Sequence, residues 1–155
     1  MKSLLFALMI LLMSCTNVPS QKESPMQKKA ELLVSESQGG ADQPGFRIIK
    51  DGKDFRNTIK TGFGWVDLGK EPATDYPKFP KNKKVILYNL GSFRSGSHRV
   101  TEIRNVSVKN NILYVEVPAG EPAGEMEIQV ISNPWIIFAV PAEYQFTSVE
   151  LKYSK

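Results

Sequence analysis

The stretch "HRVTEIRNVSVKNNILYVEVP", His98 to Pro118, holds two apolar-polar alternations separated by a turn. In its second half Leu113, Val115 and Val117 fall on one face and Tyr114 and Glu116 on the other, the period of two of a half-buried strand. Between the halves stand Lys109, Asn110 and Asn111, and asparagine tolerates the positive φ that a tight hairpin demands. The first half alternates less cleanly, since Val100, Val106 and Val108 share a parity that Ile103 does not. A bulge near Ile103 to Asn105 restores the register. The stretch therefore reads as a hairpin whose first strand begins near Arg99.

Working outward, the rest of the chain past Gly45 has the same character. "FRIIK" (Phe46 to Lys50) and "KVILYNL" (Lys84 to Leu90) read as strands. "EMEIQVI" turns Met126, Ile128 and Val130 inward, and "TSVELKY" does the same with Val149 and Leu151. "PWIIFAV", Pro134 to Val140, is apolar at successive positions and reads as a buried strand. Only "KDFRNTIKTG", ending at Gly62, suits a short helix. Short Val-, Ile-, Phe- and Tyr-rich runs with turn residues between them predict an all-β fold, a small antiparallel β-sandwich or partly open barrel with one short helix, over residues 44–155.

The N-terminal third differs. "MKSLLFALMILLMSC" joins Lys2 to an apolar run from Leu4 to Met13 and the chain's only cysteine, Cys15. A membrane-spanning helix needs about 20 apolar residues, so the run fits a cleaved signal peptide, residues 1–14. "LMSC", Leu12 to Cys15, resembles the bacterial lipobox, which implies lipidation of Cys15 and a cell-envelope location. A lone cysteine in an exported chain has no disulfide partner, which suits that reading. Thr16, not an acidic residue, stands next, which points to the outer membrane if the cell has one. From Thr16 to Gln43 the chain is Ser-, Gln-, Lys-, Glu-, Pro- and Gly-rich and lacks aromatics. It reads as a flexible tether reaching roughly 30 Å. "AELLVSE", Ala30 to Glu36, is its one apolar island, either a short helical turn or an added edge strand.

Composition narrows the function. The 155 residues carry a formal charge of +4, and removal of the signal takes only Lys2, leaving 19 basic against 16 acidic side chains. "KNKK", Lys81 to Lys84, is the densest basic run, the solvated start of a strand or a contact for phosphate or lipid head groups. No basic stripe interleaves with aromatics, so nucleic acid is not an expected partner. His98 stands two or three residues from Ser95 and Ser97 with no third group apparent, which is not a nucleophile-base arrangement. A single histidine without companions does not make a zinc site, and "GFGW", Gly62 to Trp65, lacks the context of a phosphate loop. Glu125 and Glu127 sit on the outward face of their strand. The expectation is a protein without catalytic residues, metal or cofactor.

What remains is "GSFRSGSHRV", Gly91 to Val100, which serves either as a turn into a strand or as a contact loop. Arg94, His98 and Trp135 are residue types common at interface hot spots, while the apolar run around Trp135 suits the core equally. The stretch from about Tyr76 to Lys152 resembles the C-terminal domain of the protease complex subunit PrcB family. The likeness is carried by Gly91, Ser95, Gly96, Ser97 and His98, set against a "G-x-x-x-[ST]-G-G-Y" turn. It continues with Pro122, Gly124, Gln129, Pro134, Trp135, Ile136, Ile137, Val140 and Pro141, set against "P-x-G", an alternating strand and a "Pro-aromatic-apolar-apolar-x-Val-Pro" run. Ser97 and His98 depart from the family's glycine and tyrosine. The resemblance implies a lipid-anchored protein-binding module that assists or stabilises a surface protease. A weaker likeness, to chagasin-type peptidase inhibitors with Gly-rich and "Pro-Trp" loops, implies a direct inhibitor, and a structural or ligand-carrying envelope lipoprotein is the third alternative. The hairpin topology predicts that Arg94, Ser95, Gly96, Ser97 and His98 lie beside Glu121, Pro122 and Gly124 at one end of the sandwich, facing a partner.

Overall fold

A computed structural model describes residues 30–62, 77–94, 98–119 and 131–155. Among these residues, seven strands and one helix follow in the order β1 (Glu31–Glu36), β2 (Gly45–Ile49), α1 (Gly52–Gly62), β3 (Lys83–Asn89), β4 (Asn105–Lys109), β5 (Ile112–Pro118), β6 (Trp135–Pro141) and β7 (Ser148–Ser154). They build a four-stranded sheet, β1-β6-β3-β2, and a three-stranded sheet, β4-β5-β7. The fold is a small all-β sandwich with one short helix.

Periodicity explains the layering. In β5, Leu113, Val115 and Val117 point into the core between the sheets, together with Val106 of β4 and Val149 of β7. Their alternate neighbours face outward, as the sequence predicts. In β6 every residue from Trp135 to Val140 is buried. Ile136, Phe138 and Val140 join the core between the sheets, whereas Trp135, Ile137 and Ala139 join a second core with Phe55 and Ile59 of α1. The helix covers the outer face of the four-stranded sheet, so a central strand there must be apolar on both sides.

The helix forms where capping chemistry meets helical spacing. Asp51 Oδ1 accepts from the amides of Lys53 (2.8 Å) and Asp54 (2.9 Å), two of the amides that lack an intrahelical partner. Phe55 and Ile59, four apart, point into the second core. The helix ends at Gly62, where a Cβ would stand 2.4 Å from the Trp135 ring.

Three expectations are corrected. The segment ending at Gln43 is not all tether: β1 pairs antiparallel with β6 from Glu31↔Ala139 to Glu36↔Trp135. Leu32 packs on the core between the sheets, and Val34 lies in the core under the helix. The island "AELLVSE" is thus an added edge strand, and the described fold already includes residues 30–43, which were expected to be tether. The strand predicted from Arg99 begins only at Asn105. The Val100/Ile103 parity slip marks chain outside the sheet, not a bulge, and the register irregularity among the β1 pairs falls between Leu32 and Val34. The sandwich is mostly antiparallel as expected, with β5–β7 a parallel pair that makes the smaller sheet mixed. Finally, Trp135 is 1% exposed and donates from Nε1 to the Gln38 carbonyl at 2.7 Å; it is a core residue, not a contact. The expected hairpin is present, with Asn110 at φ 53° and Asn111 at φ 61°. The "EMEIQVI" strand lies outside the described residues except for Ile131.

Candidate functional site

The loop starting at Gly91 leaves β3 at the end opposite Lys83. Gly91 has φ +93°, and a Cβ there would meet the Pro44 ring at 2.9 Å, so both backbone and space require glycine. Beyond it the β3–β6 pairing is extended by an isolated bridge. The amides of Phe93 and Ser132 each donate to the other's carbonyl at 2.9 Å.

Around this bridge lies a polar clasp. Asp42 Oδ1 accepts from Ser92 Oγ at 3.1 Å and from Asn133 Nδ2 at 2.9 Å. The same Asn133 amide reaches Ser92 Oγ at 2.7 Å. Backbone bonds run alongside, from the Ser92 amide to the Asp42 carbonyl (3.0 Å) and from the Gly40 amide to the Asn133 carbonyl (2.8 Å). Asn89 Oδ1 accepts from the Ala41 amide at 3.0 Å. The clasp ties together the chain after β1, the exit of β3 and the approach to β6, and it presents a platform with little freedom left to lose.

The candidate residues sit on that platform unevenly. Arg94 is exposed. His98 is half-buried, its ring stacked on Phe93 with centroids 3.8 Å apart and planes 23° apart. Ser95, Gly96 and Ser97 lie outside the described residues, as do Glu121, Pro122 and Gly124, so the predicted meeting of the two loops lies outside them too. Past His98 the chain runs beside β1: Arg99 Nε donates to the Ser35 carbonyl at 3.0 Å, and Ser35 Oγ donates to the Val100 carbonyl. Those bonds hold the chain past His98 against β1.

Asp42, Ser92, Phe93 and Asn133 were missed as a unit by sequence reasoning. Their signal was the turn chemistry of "ADQPG" and "SNP", Asp and Asn beside Pro and Gly, but one half of it stood in a segment read as tether.

A second polar cluster joins α1 to β2. Arg47 Nη1 donates to both carboxylate oxygens of Asp54 at 2.9 Å, and its other terminal nitrogen donates to Thr58 Oγ1. The Lys50 amide donates to Asp54 Oδ2 at 3.1 Å. That amide bond first, and then Arg47 against the opposing pull of burial, holds the Asp54 carboxyl below its ordinary value. The arrangement is a satisfied ion pair that fixes the helix to the strand. Among the described residues no three His, Cys, Asp or Glu side chains converge as a metal site, and no helix is long and apolar enough to cross a membrane. Between the sheets pack side chains such as Ile86, Leu113, Val115 and Phe138. No family model, curated protein or solved structure matches the chain.

Proposed function

We propose that this chain is a lipid-anchored module of the bacterial envelope that holds a protein partner, as an accessory or stabilising subunit of a surface protease. Lipidated Cys15 fixes it to the membrane, and the Arg94–His98 loop, carried by the Asp42–Ser92–Asn133 clasp, meets the partner. One observation carries this reading: the clasped loop and the start of β1 lie at opposite ends of the four-stranded sheet. Glu31 stands beside Ala139 in the register, near Lys83↔Pro141, while Ser92 and Phe93 follow Asn89↔Trp135. Seven strand residues separate those ends by roughly 20 Å. A chain tethered through its N-terminal segment would thus hold the loop outward, where loops on a rigid frame bind.

The test is capture from detergent-solubilised envelope with the tethered protein as bait. Arg94→Ala is expected to weaken capture of a peptidase by about 1 kcal/mol or more while leaving the melting temperature unchanged. His98→Ala is a less clean probe, because it also removes the stack on Phe93. Capture that survives Arg94→Ala unchanged moves the contact elsewhere. Slowing of the captured peptidase by the soluble domain would make the module an inhibitor.

A further inference from the structure

We infer that the end of the sandwich where β1 begins is a docking face for anionic lipid head groups. Lys50, Lys81, Lys83 and Lys84 line one surface concavity with Ile48 and Phe79, and Ile48 is 44% exposed. This juxtaposition follows from register. Val85 pairs with Ile49, so Lys84 and Lys50 stand at neighbouring strand ends, and Asn82, with φ 59°, turns Lys81 into the same corner.

Each acidic group nearby among the described residues already has a partner. Glu31 is held by Lys83 at 2.7 Å, Asp51 caps α1, and Glu143, on the turn after β6, is itself in contact. Lys84 donates to the Tyr144 carbonyl. Among the described residues no ion pair engages Lys50 or Lys81.

The identity of the anion follows from chemistry and from where the chain outside the structure attaches. Lysine is depleted from the cores of protein-protein interfaces. A rim of lysines around an exposed isoleucine suits a head-group layer, where ammonium groups reach phosphates and the apolar group lies below them. Residues preceding 30 join the fold at Glu31, whose carboxylate touches Lys83, so this end is the one nearest the tether. The inference rests on the lipid-anchored reading for that proximity, and not for the surface itself.

The experiment uses the chain from residue 15 on, which contains every described element, with Cys15→Ser so that no acyl chain contributes. Co-sedimentation at low salt is compared for vesicles of phosphatidylglycerol with phosphatidylethanolamine and for vesicles of phosphatidylcholine alone. Binding is expected to the anionic vesicles only. Each lysine near such a surface is worth roughly fivefold, so Lys50→Gln with Lys81→Gln should weaken binding roughly 25-fold, with an unchanged circular dichroism melt. Arg94→Gln, at the other end, should leave it unchanged. Equal binding to both vesicle types, a silent double variant, an equal loss with Arg94→Gln, or a protein captured by this end in place of lipid would each overturn the inference. Mass spectrometry of the N-terminal peptide from cells tests Cys15 separately, and an unmodified thiol there would sink the anchor without touching the vesicle result.

Discussion

Two of the central strands, β6 and β5, carry similar residues and lead different lives. β6 is apolar at every position from Trp135 to Val140 because it separates two cores, one shared with the smaller sheet and one under α1. β5 alternates because, among the described residues, only one of its faces joins a core. The period of an apolar run therefore reports how many layers touch it. A continuous run calls for a cover on the far side, and in this molecule the cover is a helix of 11 residues.

The largest effect that tests the comparison comes from truncating both faces of β6. Phe138→Ala should destabilise by about 3–5 kcal/mol and Ile137→Ala by about 2–5 kcal/mol, with denaturant unfolding as the measure. An Ile137 loss far smaller than this would mean that the helix is a loose cover and β6 has one true core face. Next in size is Gly62→Ala. Its new methyl must displace the Trp135 ring, at a cost of about 1–3 kcal/mol, and a neutral result would break the tie between helix end and strand. On the outer face of β5, Glu116→Ala should stay within about 0.5 kcal/mol; a larger loss would reveal a cover on that face as well.

The smallest effects concern polar groups at the edges of the cores. Ser132 is 4% exposed and its hydroxyl has no hydrogen-bond partner among the described residues, so Ser132→Ala should be neutral or mildly stabilising. Asp54 contributes through pH. Its folded carboxyl titrates below the ordinary value of 3.8, so its stabilisation is complete above that value and is lost as the pH falls through the lowered one. Asp54→Asn should therefore lower stability at neutral pH, converge with the parent chain in acid, and so flatten the acid limb of the stability curve.

How much of this was legible in the sequence depends on the range of the interaction. Local patterns read well: the Asn110–Asn111 hairpin, the alternation of β5 and the capped helix all express themselves within about ten residues. Long-range pairing did not. β1 has an ordinary apolar core, Leu32 to Val34, yet it sits among Ser, Gln and Gly, and composition assigned it to the tether. What makes it a strand is the edge of β6, about a hundred positions away. Likewise the two glycines after β1 look like linker. Gly39 in fact sits at φ +91°, where a Cβ would stand 1.6 Å from the Gly62 carbonyl. Trp135 shows the converse limit. Its type suggested a contact, but burial depends on which neighbours close over it, and those include the Gln38 carbonyl.

The β1–β6 pairing also sets a timetable. The Gln38 carbonyl and the Trp135 indole that it binds are 97 residues apart in the chain. A ribosome adding residues at 5–20 per second leaves β1 waiting roughly 5–20 s for its partner. During that interval it is an unpaired strand, and a chain crossing a membrane N-terminus first would deliver it to the far side before anything it can pair with. Closure of the larger sheet then requires the slow, long-range search typical of β proteins. The charged ends of β1, Glu31 and Glu36, and the Ser-Gln-Gly-Gly run behind it supply the solubility that such a wait demands.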